Sequence, residues 1–367
     1  MGVKIAWLLP NLHVTGGARV AVELSNRLIN RGHKVSLLIP AGRNRLLITC
    51  RADVIECGAR ATNPFWAVPL AMAGAIHALP SVDVVLGSMP PYVLLARFLA
   101  RRRRIPAVNY LMNDDVHFFD DRTHIRNRWV LSLYRFMARR SIRRGPIFVN
   151  SHWTAVRCVT EGGSRPFAFI PHGYDPTYFH PEAAPHEDGV IQLVVVGRRE
   201  RWKGFDDLVM ALNSIAWNEH PFHLTVISQD ALDLSSARFP YTIAKPQNER
   251  DLAAQFQAGQ IFIHTSWFEG FGMPPLEAMA CGLAVVATES GGVREYLHDG
   301  ENALIVSPRE PRSLVRAIQK LMEDSDLRRS LAKQGLADSL DFTWDKAADK
   351  FEKVLLEITS DANAHRR

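Results

Sequence analysis

The chain has 367 residues, 47% of them hydrophobic and 22% charged, which is long for one core and ordinary for a folded protein of two domains. No apolar run reaches the roughly eighteen residues of a membrane span, and the opening MGVKIAWLLPNL meets a proline at once, which argues against a transmembrane helix or a cleaved signal peptide. The four cysteines, Cys50, Cys57, Cys158 and Cys281, have neither metal-ligand spacing nor a disulfide framework, so a cytoplasmic setting is expected.

In chain order, Val3–Leu9, Lys34–Ile39 and Val82–Leu86 are short apolar runs that end at polar or turn residues. Between the first two, Val20, Leu24 and Leu28 recur at helical spacing, so strand, glycine loop, helix and strand form a βαβ unit and imply a parallel sheet. Val108–Met112 and Ile147–Asn150 continue the pattern. Pro181–Gly189, PEAAPHEDG, has no periodicity and reads as a linker. The pattern then restarts with a strand at Val190–Val196, a helix at Phe205–Ile215 and strands at His223–Ile227, Ile261–His264, Ala284–Ala287 and Ala303–Val306. Helices near Pro311–Met322 and Trp344–Ile358 close the chain. The expectation is two doubly wound α/β domains, 1–180 and 190–343, whose strand ends face a shared cleft, with 344–367 packing back on the first domain.

The formal charge of +6 is concentrated. Arg101 to Arg104 form one block. Arg122, Arg126, Arg128, Arg135, Arg139, Arg140, Arg143 and Arg144 surround an apolar stripe in a second. Such a helix either rests on anionic lipid or buries its stripe and solvates its basic side; the two readings stay level. Nucleic acid is not expected, since no binding module or basic–aromatic interleaving accompanies the charge.

The densest chemistry lies in HTSWFEGFGMPPLEAMACGLAVVATESGGVREYL. A strand ends at His264, a glycine-rich turn follows, and Pro275 is expected to start a helix with Glu277 in its first turn. Glu269 stands eight positions before Glu277. Two carboxylates so placed can bind two hydroxyl-bearing parts of one ligand, and the helix start offers amides and a positive dipole end to an anion. A carboxylate that merely caps its own helix, worth about 1 kcal/mol, accounts equally well for Glu277 taken alone.

The whole string resembles the E-x7-E signature of retaining GT-B glycosyltransferases, and most of all their family four, whose fold pairs two Rossmann-like domains. That resemblance implies that Glu269 contacts the donor sugar and Glu277 the ribose, while Gly270, Phe271, Gly272 and Met273 offer backbone donors to sugar and diphosphate. VVVGRRERWKGFDDLVMAL also resembles the family: Arg198 and Lys203, five apart before a helix, can hold a diphosphate without metal. Gly16 and Gly17 match the loop that closes over the diphosphate from the other domain, and FIPHGYDPTYF matches the segment before the linker.

One departure lies in NYLMNDDVHFFDD. Many relatives carry a histidine after this strand; here Asn113 or Asp114 holds the place and His117 comes late, a pattern closer to a subset with Gln-Asp, some of which act on deoxyhexose nucleotides. Asp114 is the preferred residue on the acceptor side, His117 the second, and a plain turn aspartate is an equal alternative. Front-face transfer needs no protein nucleophile, so the departure touches this loop and not the reaction class. No cofactor and no metal is expected; Asp324-Ser325-Asp326 reads as a helix boundary and not a metal site. Ser228-Gln229 stands where the family often has glycine, which hides the donor base.

The expected function is transfer of a sugar from a nucleotide diphosphate to a glycan, a glycolipid or another acceptor in cell-surface polysaccharide or glycoconjugate synthesis. A nucleotide-sugar epimerase or phosphorylase on the same frame, or a silent partner subunit, are the alternatives. The expected setting is cytoplasmic, with the inner face of a membrane as a resting place for the arginine-rich helix.

Overall fold

A computed structural model describes residues 2–13, 16–44, 48–60, 64–120, 127–182, 189–216 and 219–364. Arg122, Arg126 and most of the expected linker lie outside the described residues. The chain divides into two compact units, Met1–His172 with Trp344–Arg367, and Gly173–Thr343.

The first unit runs β1 (Lys4–Leu8), α1 (Gly16–Asn30), β2 (Lys34–Pro40), β3 (Asp53–Cys57), α2 (Pro64–Ala78), β4 (Val84–Gly87), α3 (Pro90–Arg103), β5 (Ala107–Leu111), α4 (Arg128–Ile142), β6 (Ile147–Val149), α5 (His152–Thr160) and β7 (Ala168–Phe169). Its parallel strands lie in the order β3-β2-β1-β4-β5-β6-β7. The chain builds outward from β1 to β3, returns to lay β4 beside β1, and builds the other way. Loops leaving β1 and β4 therefore diverge and open a crevice at their carboxyl ends.

The second unit repeats the plan with β8 (Ile191–Val196), α6 (Phe205–Leu212), β9 (Phe222–Ile227), β10 (Tyr241–Ala244), α7 (Glu249–Gln257), β11 (Ile261–His264), α8 (Met273–Ala280), β12 (Ala284–Thr288), β13 (Leu304–Val306), α9 (Pro311–Glu323) and α10 (Ser325–Ser339). Its order is β10-β9-β8-β11-β12-β13, with every pair parallel. Alternation along the central strands builds two cores, one on each face of the sheet. Leu193, Val195, Ile261, Ile263, Ala284 and Val286 pack with Leu208 and Leu212 of α6 and Leu314 and Ile318 of α9. Val194, Phe262, Val285 and Ala287 pack with Phe256 of α7 and Leu276 and Met279 of α8.

A last helix, α11 (Trp344–Ala364), belongs to the first unit. Phe351 is fully buried and stacks on Trp7, with ring centroids 5.8 Å apart. Arg31 pairs with Glu352 at 2.9 Å and Asp349 at 2.7 Å, and His33 Nε2 lies 2.8 Å from Glu352.

Two expectations need correction. Helix α8 begins at Met273, two residues before Pro275, so Glu277 sits in its second turn. Between the two expected closing helices lies a third, α10, whose buried stripe is Leu331, Gly335 and Ser339. Two of these three are not apolar, which hides the helical period; Gly335 instead lets α10 approach Met279 closely. The Asp324 carboxylate accepts from Leu327 N at 2.9 Å, so it caps α10, and Asp326 pairs with Arg329.

Phe351→Ala removes a ring from the aromatic cluster of Trp7, Tyr110 and Phe148. It should cost about 3–5 kcal/mol of stability. Denaturant titration checks this, and a loss under about 1 kcal/mol would contradict the packing described.

Candidate functional site

In the second sheet the chain reverses its building direction between β8 and β11, which pair side by side with Val195 opposite Ile263. The segments leaving these strands, 197–204 and 265–272, consequently emerge together at a crevice. Three contacts zip them. Trp267 N donates to Trp202 O at 2.7 Å, Thr265 Oγ1 donates to Lys203 O at 2.8 Å, and Trp202 stacks on Phe268 with centroids 4.8 Å apart. Gly204 makes this approach possible: its φ is +66°, and a Cβ there would fall 2.1 Å from Thr265 O.

The product of this zipper is a close pair. Lys203 Nζ donates to Glu269 Oε1 at 2.6 Å and lies 4.2 Å from the Trp202 ring centre. Glu269 is held through its backbone, donating from N to Ser290 O at 2.6 Å and accepting at its carbonyl from Gly292 N at 2.9 Å. Burial opposes ionisation of Glu269, but Lys203, His264 and a hydrogen bond from Ser266 together outweigh it and hold the carboxyl below its ordinary range. His264 Nε2 lies 3.9 Å from that carboxylate. Burial dominates at this imidazole and takes it down to about 4, with Glu269 pulling up and Lys203 pushing down. Near neutral pH the site therefore holds a charged carboxylate and a neutral imidazole, with Lys203 Nζ on the carboxylate.

Gly272 caps α8 with φ +81°, and a Cβ there would meet Val293 Cγ1 at 2.7 Å. Tyr296 donates its hydroxyl to the Gly272 carbonyl. Pro274 and Pro275 carry no N–H, so the amides that the helix's own pairing leaves over here are those of Gly272 and Met273, and do not extend to Leu276. Glu277 is 2% exposed, deeper than Glu269 at 9%. After burial, the Glu269 and Glu277 charges both help to raise the Tyr296 phenol well above its usual value. Arg198 leaves the same strand end as Lys203, but its carboxylate neighbours are Asp230 at 3.7 Å and Glu200 at 3.9 Å.

In the first unit, Gly16 and Gly17 open α1. A Cβ on Gly17 would meet Met112 Cε at 3.6 Å, an ordinary contact, so packing alone does not demand glycine there. Asn113 Oδ1 accepts from Asp114 N at 2.9 Å. Asp114 is buried and receives Arg157 of α5 at 2.6 Å, and His117 Nδ1 lies 3.0 Å from it. His117 Nε2 faces Glu161 at 3.6 Å, and Glu161 pairs with Arg139 of α4 at 3.0 Å. Asp114 thus pairs with Arg157 and also accepts from the His117 amide of its own turn at 3.4 Å. Next to it, burial first and Asp114 second push Asp115 up to about 7.

The structure joins Lys203 to Glu269, and Asn113, Asp114 and His117 to one another. His264, Trp202 and Arg157 escaped the sequence reading. His264 and Trp202 lie inside the motifs but read as strand end and turn, and Arg157 carries no local signal at all.

Two family models match consecutive stretches, Glycosyltransferase Family 4 over residues 14–178 and Glycosyl transferases group 1 over residues 179–338. A D-inositol 3-phosphate glycosyltransferase of Acidothermus cellulolyticus is 28% identical over 249 residues, covering 60% of this chain and 54% of that one. The chain spans less than two-thirds of the length of the curated relatives it matches. Sucrose-phosphate synthase from Thermosynechococcus elongatus superposes with a TM-score of 0.83 at 18% identity, covering 98% of this chain and all of that one. Anabaena HepE in complex with UDP-glucose superposes at 0.76 with 16% identity, covering 97% of this chain and 100% of its own. At these identities the structural likeness establishes the two-sheet GT-B fold.

His264 binds a proton in the unfolded chain near its ordinary 6.5 but in the native state only near 4, so between these values acid favours unfolding through this group. His264→Gln should therefore lose less stability than the wild type as pH falls through that window, by up to about 1.4 kcal/mol per pH unit. Parallel melting curves across the window check this; superimposable pH profiles would contradict the burial assigned to the imidazole.

Proposed function

The chain belongs to the GT-B glycosyltransferases of group 1 and family 4, and from that premise we propose that it transfers a sugar from a nucleotide diphosphate to an acceptor, retaining anomeric configuration and using no metal ion. The observation that carries this reading is the Lys203–Glu269 pair at 2.6 Å, set at the switch point of the second sheet. An ammonium has three N–H donors, and Glu269 takes one of Lys203's, which leaves two for a phosphate. In the reaction the bond from the sugar's anomeric carbon to the diphosphate breaks, and charge builds on the leaving phosphate. Lys203 and Arg198 offset that charge, as fixed cations in a dry site do best. The acceptor oxygen bonds to the same face of the anomeric carbon, and its proton passes to the departing phosphate. No protein nucleophile is required.

In this proposal Glu269 binds the sugar hydroxyls, Glu277 the ribose, and residues Gly270, Phe271, Gly272 and Met273 supply backbone donors. Gly16 and Gly17 are assigned to phosphate binding by the family resemblance, and the ordinary contact distance at Gly17 leaves no packing reason for glycine there. Asn113, Asp114 and His117 serve the acceptor side, where Arg157 sets the position of the Asp114 carboxylate. The HepE neighbour holds UDP-glucose, which supports a nucleotide-sugar donor here. The acceptor we assign is a glycan or glycolipid of the cell surface, and the setting cytoplasmic. Among the described residues no helix is long and apolar enough to cross a membrane.

Lys203→Ala should lower turnover about a hundred- to a thousandfold, the worth of one preorganised charge at a leaving group. A melting curve taken beside it separates this from unfolding, since the change also strips Glu269 of its cation. Unchanged turnover would move the phosphate site elsewhere. A chelator should leave the wild-type rate as it is. Glu277→Ala should weaken binding of the best of UDP, GDP and TDP about tenfold or more, the worth of a hydrogen bond to a charged group. Ligand-induced melting shifts read this out, and an untouched affinity would remove Glu277 from the ribose.

A further inference from the structure

Helix α4 has two apolar faces. Leu131, Tyr134, Ala138 and Ile142 are buried and tie it to the first unit's core. On the other side Trp129 is 86% exposed, Phe136 65% and Leu133 57%. At about 100° per residue these three and Arg140 fall within an arc of about 60°, opposite the buried stripe. A stripe that merely completes a core leaves no such outer row. The alternative of a buried stripe with a solvated basic side is therefore incomplete: the solvated side is itself apolar at its centre.

The charge that the segment itself carries has one sign. From Arg128 to Arg144 the chain carries six arginines and no aspartate or glutamate. Arg135 and Arg139 pair with Asp120 and Glu161, which lie outside this segment. Among the described residues no carboxylate pairs with Arg128, Arg140, Arg143 or Arg144. Helix α3 is fixed alongside, because Arg97 donates to the carbonyls of Arg140, Ser141 and Arg144. It adds Phe98, 47% exposed with Arg102 set 5.7 Å from its ring centre, and the basic run that ends α3.

We infer that the outer face of α4 is a docking surface for an anionic lipid bilayer, and that it brings the enzyme to a lipid-borne acceptor. A bilayer surface supplies both things this face lacks, dispersed negative charge for the arginines and an apolar layer for indole, phenyl and isobutyl groups. Tryptophan suits that boundary, with a large ring to bury and one N–H to leave in the wet layer. A nucleic acid would satisfy the arginines but offers no place for Leu133. A second copy of this chain would bring the same arginines against one another. The acceptor clause rests on the proposed transferase activity; the docking surface does not.

The test is flotation of the full chain with vesicles of phosphatidylcholine alone or mixed with phosphatidylglycerol. Binding should be about tenfold or more tighter to the anionic vesicles and should weaken as salt rises. The double substitution Trp129→Ser with Phe136→Ser, on solvent-exposed side chains, should keep the wild-type melting point and lose about tenfold or more in vesicle affinity. Arg128→Gln with Arg140→Gln should remove most of the preference for anionic lipid. Brominated lipid should quench more fluorescence in the wild type than in Trp129→Phe, which reads insertion without relying on the serine variant. Equal binding to both vesicle types, undiminished binding by the serine variant, or a wild-type dimer that this variant dissolves would overturn the inference. Turnover of a water-soluble donor should not change in the serine variant. Its loss would assign the face to catalysis and equally overturn the inference, whereas vesicle binding without any turnover would fault only the transferase reading.

Discussion

The adjacency of β8 and β11 is the constraint on which the second unit's chemistry depends. These strands are separated in the chain by two strands and two helices, yet they pair at the point where the sheet changes its building direction. Their carboxyl ends carry Gly197 and Arg198 on one side and Thr265 and Ser266 on the other, and everything from Lys203 to Glu269 follows from that neighbourhood. Both groups of the resulting pair are largely withdrawn from water, Lys203 at 22% side-chain exposure and Glu269 at 11%. An isolated carboxylate at that depth would be forced toward its neutral form. Lys203, His264 and Ser266 reverse the outcome. The site thus stores two opposite charges that a ligand can engage without first paying to create them.

Preorganisation runs outward from the pair. Glu269 is gripped by its own amide and carbonyl between Ser290 and Gly292, so its carboxylate does not swing freely. Gly272 and Gly204 stand at positive φ where neighbouring atoms leave no room for a Cβ. Both glycines turn the chain sharply and allow close packing, and together they bring an ammonium, a carboxylate and helix-end amides into one small region.

In the first unit, Asp114 is bound by Arg157 and His117, and through Glu161 this cluster continues to Arg139 on α4. The loop after β5 is therefore linked through His117 and Glu161 to Arg139 of the helix that carries the exposed Trp129 and Phe136. One helix supplies core packing with one face and a charged, apolar surface with the other. The carboxylates of this cluster are largely withdrawn from water, Asp114 at 8% and Glu161 at 14% side-chain exposure. These contacts fix the position of the loop after β5.

The central strands were legible because burial on both faces demands continuous apolar runs: Ile261–His264 and Ala284–Thr288 are buried throughout. The strands that went unread, β3, β7 and β10, are sheet edges, where one side needs no apolar residue, and Tyr241–Ala244 shows three exposed positions of four. The glutamate string and the Arg198–Lys203 spacing were readable for a different reason, since each is a local arrangement around one strand end. What local spacing determined was therefore the parallel α/β plan and the residue types at each strand end. Which of those residues meet was decided by tertiary structure. Lys203 and Glu269 are sixty-six positions apart and Asp114 and Arg157 forty-three, and only strand order brings such distances down to a hydrogen bond. Exposure was decided there too: a helical period reports that a stripe is apolar, but only packing shows that α4 has two stripes and buries one.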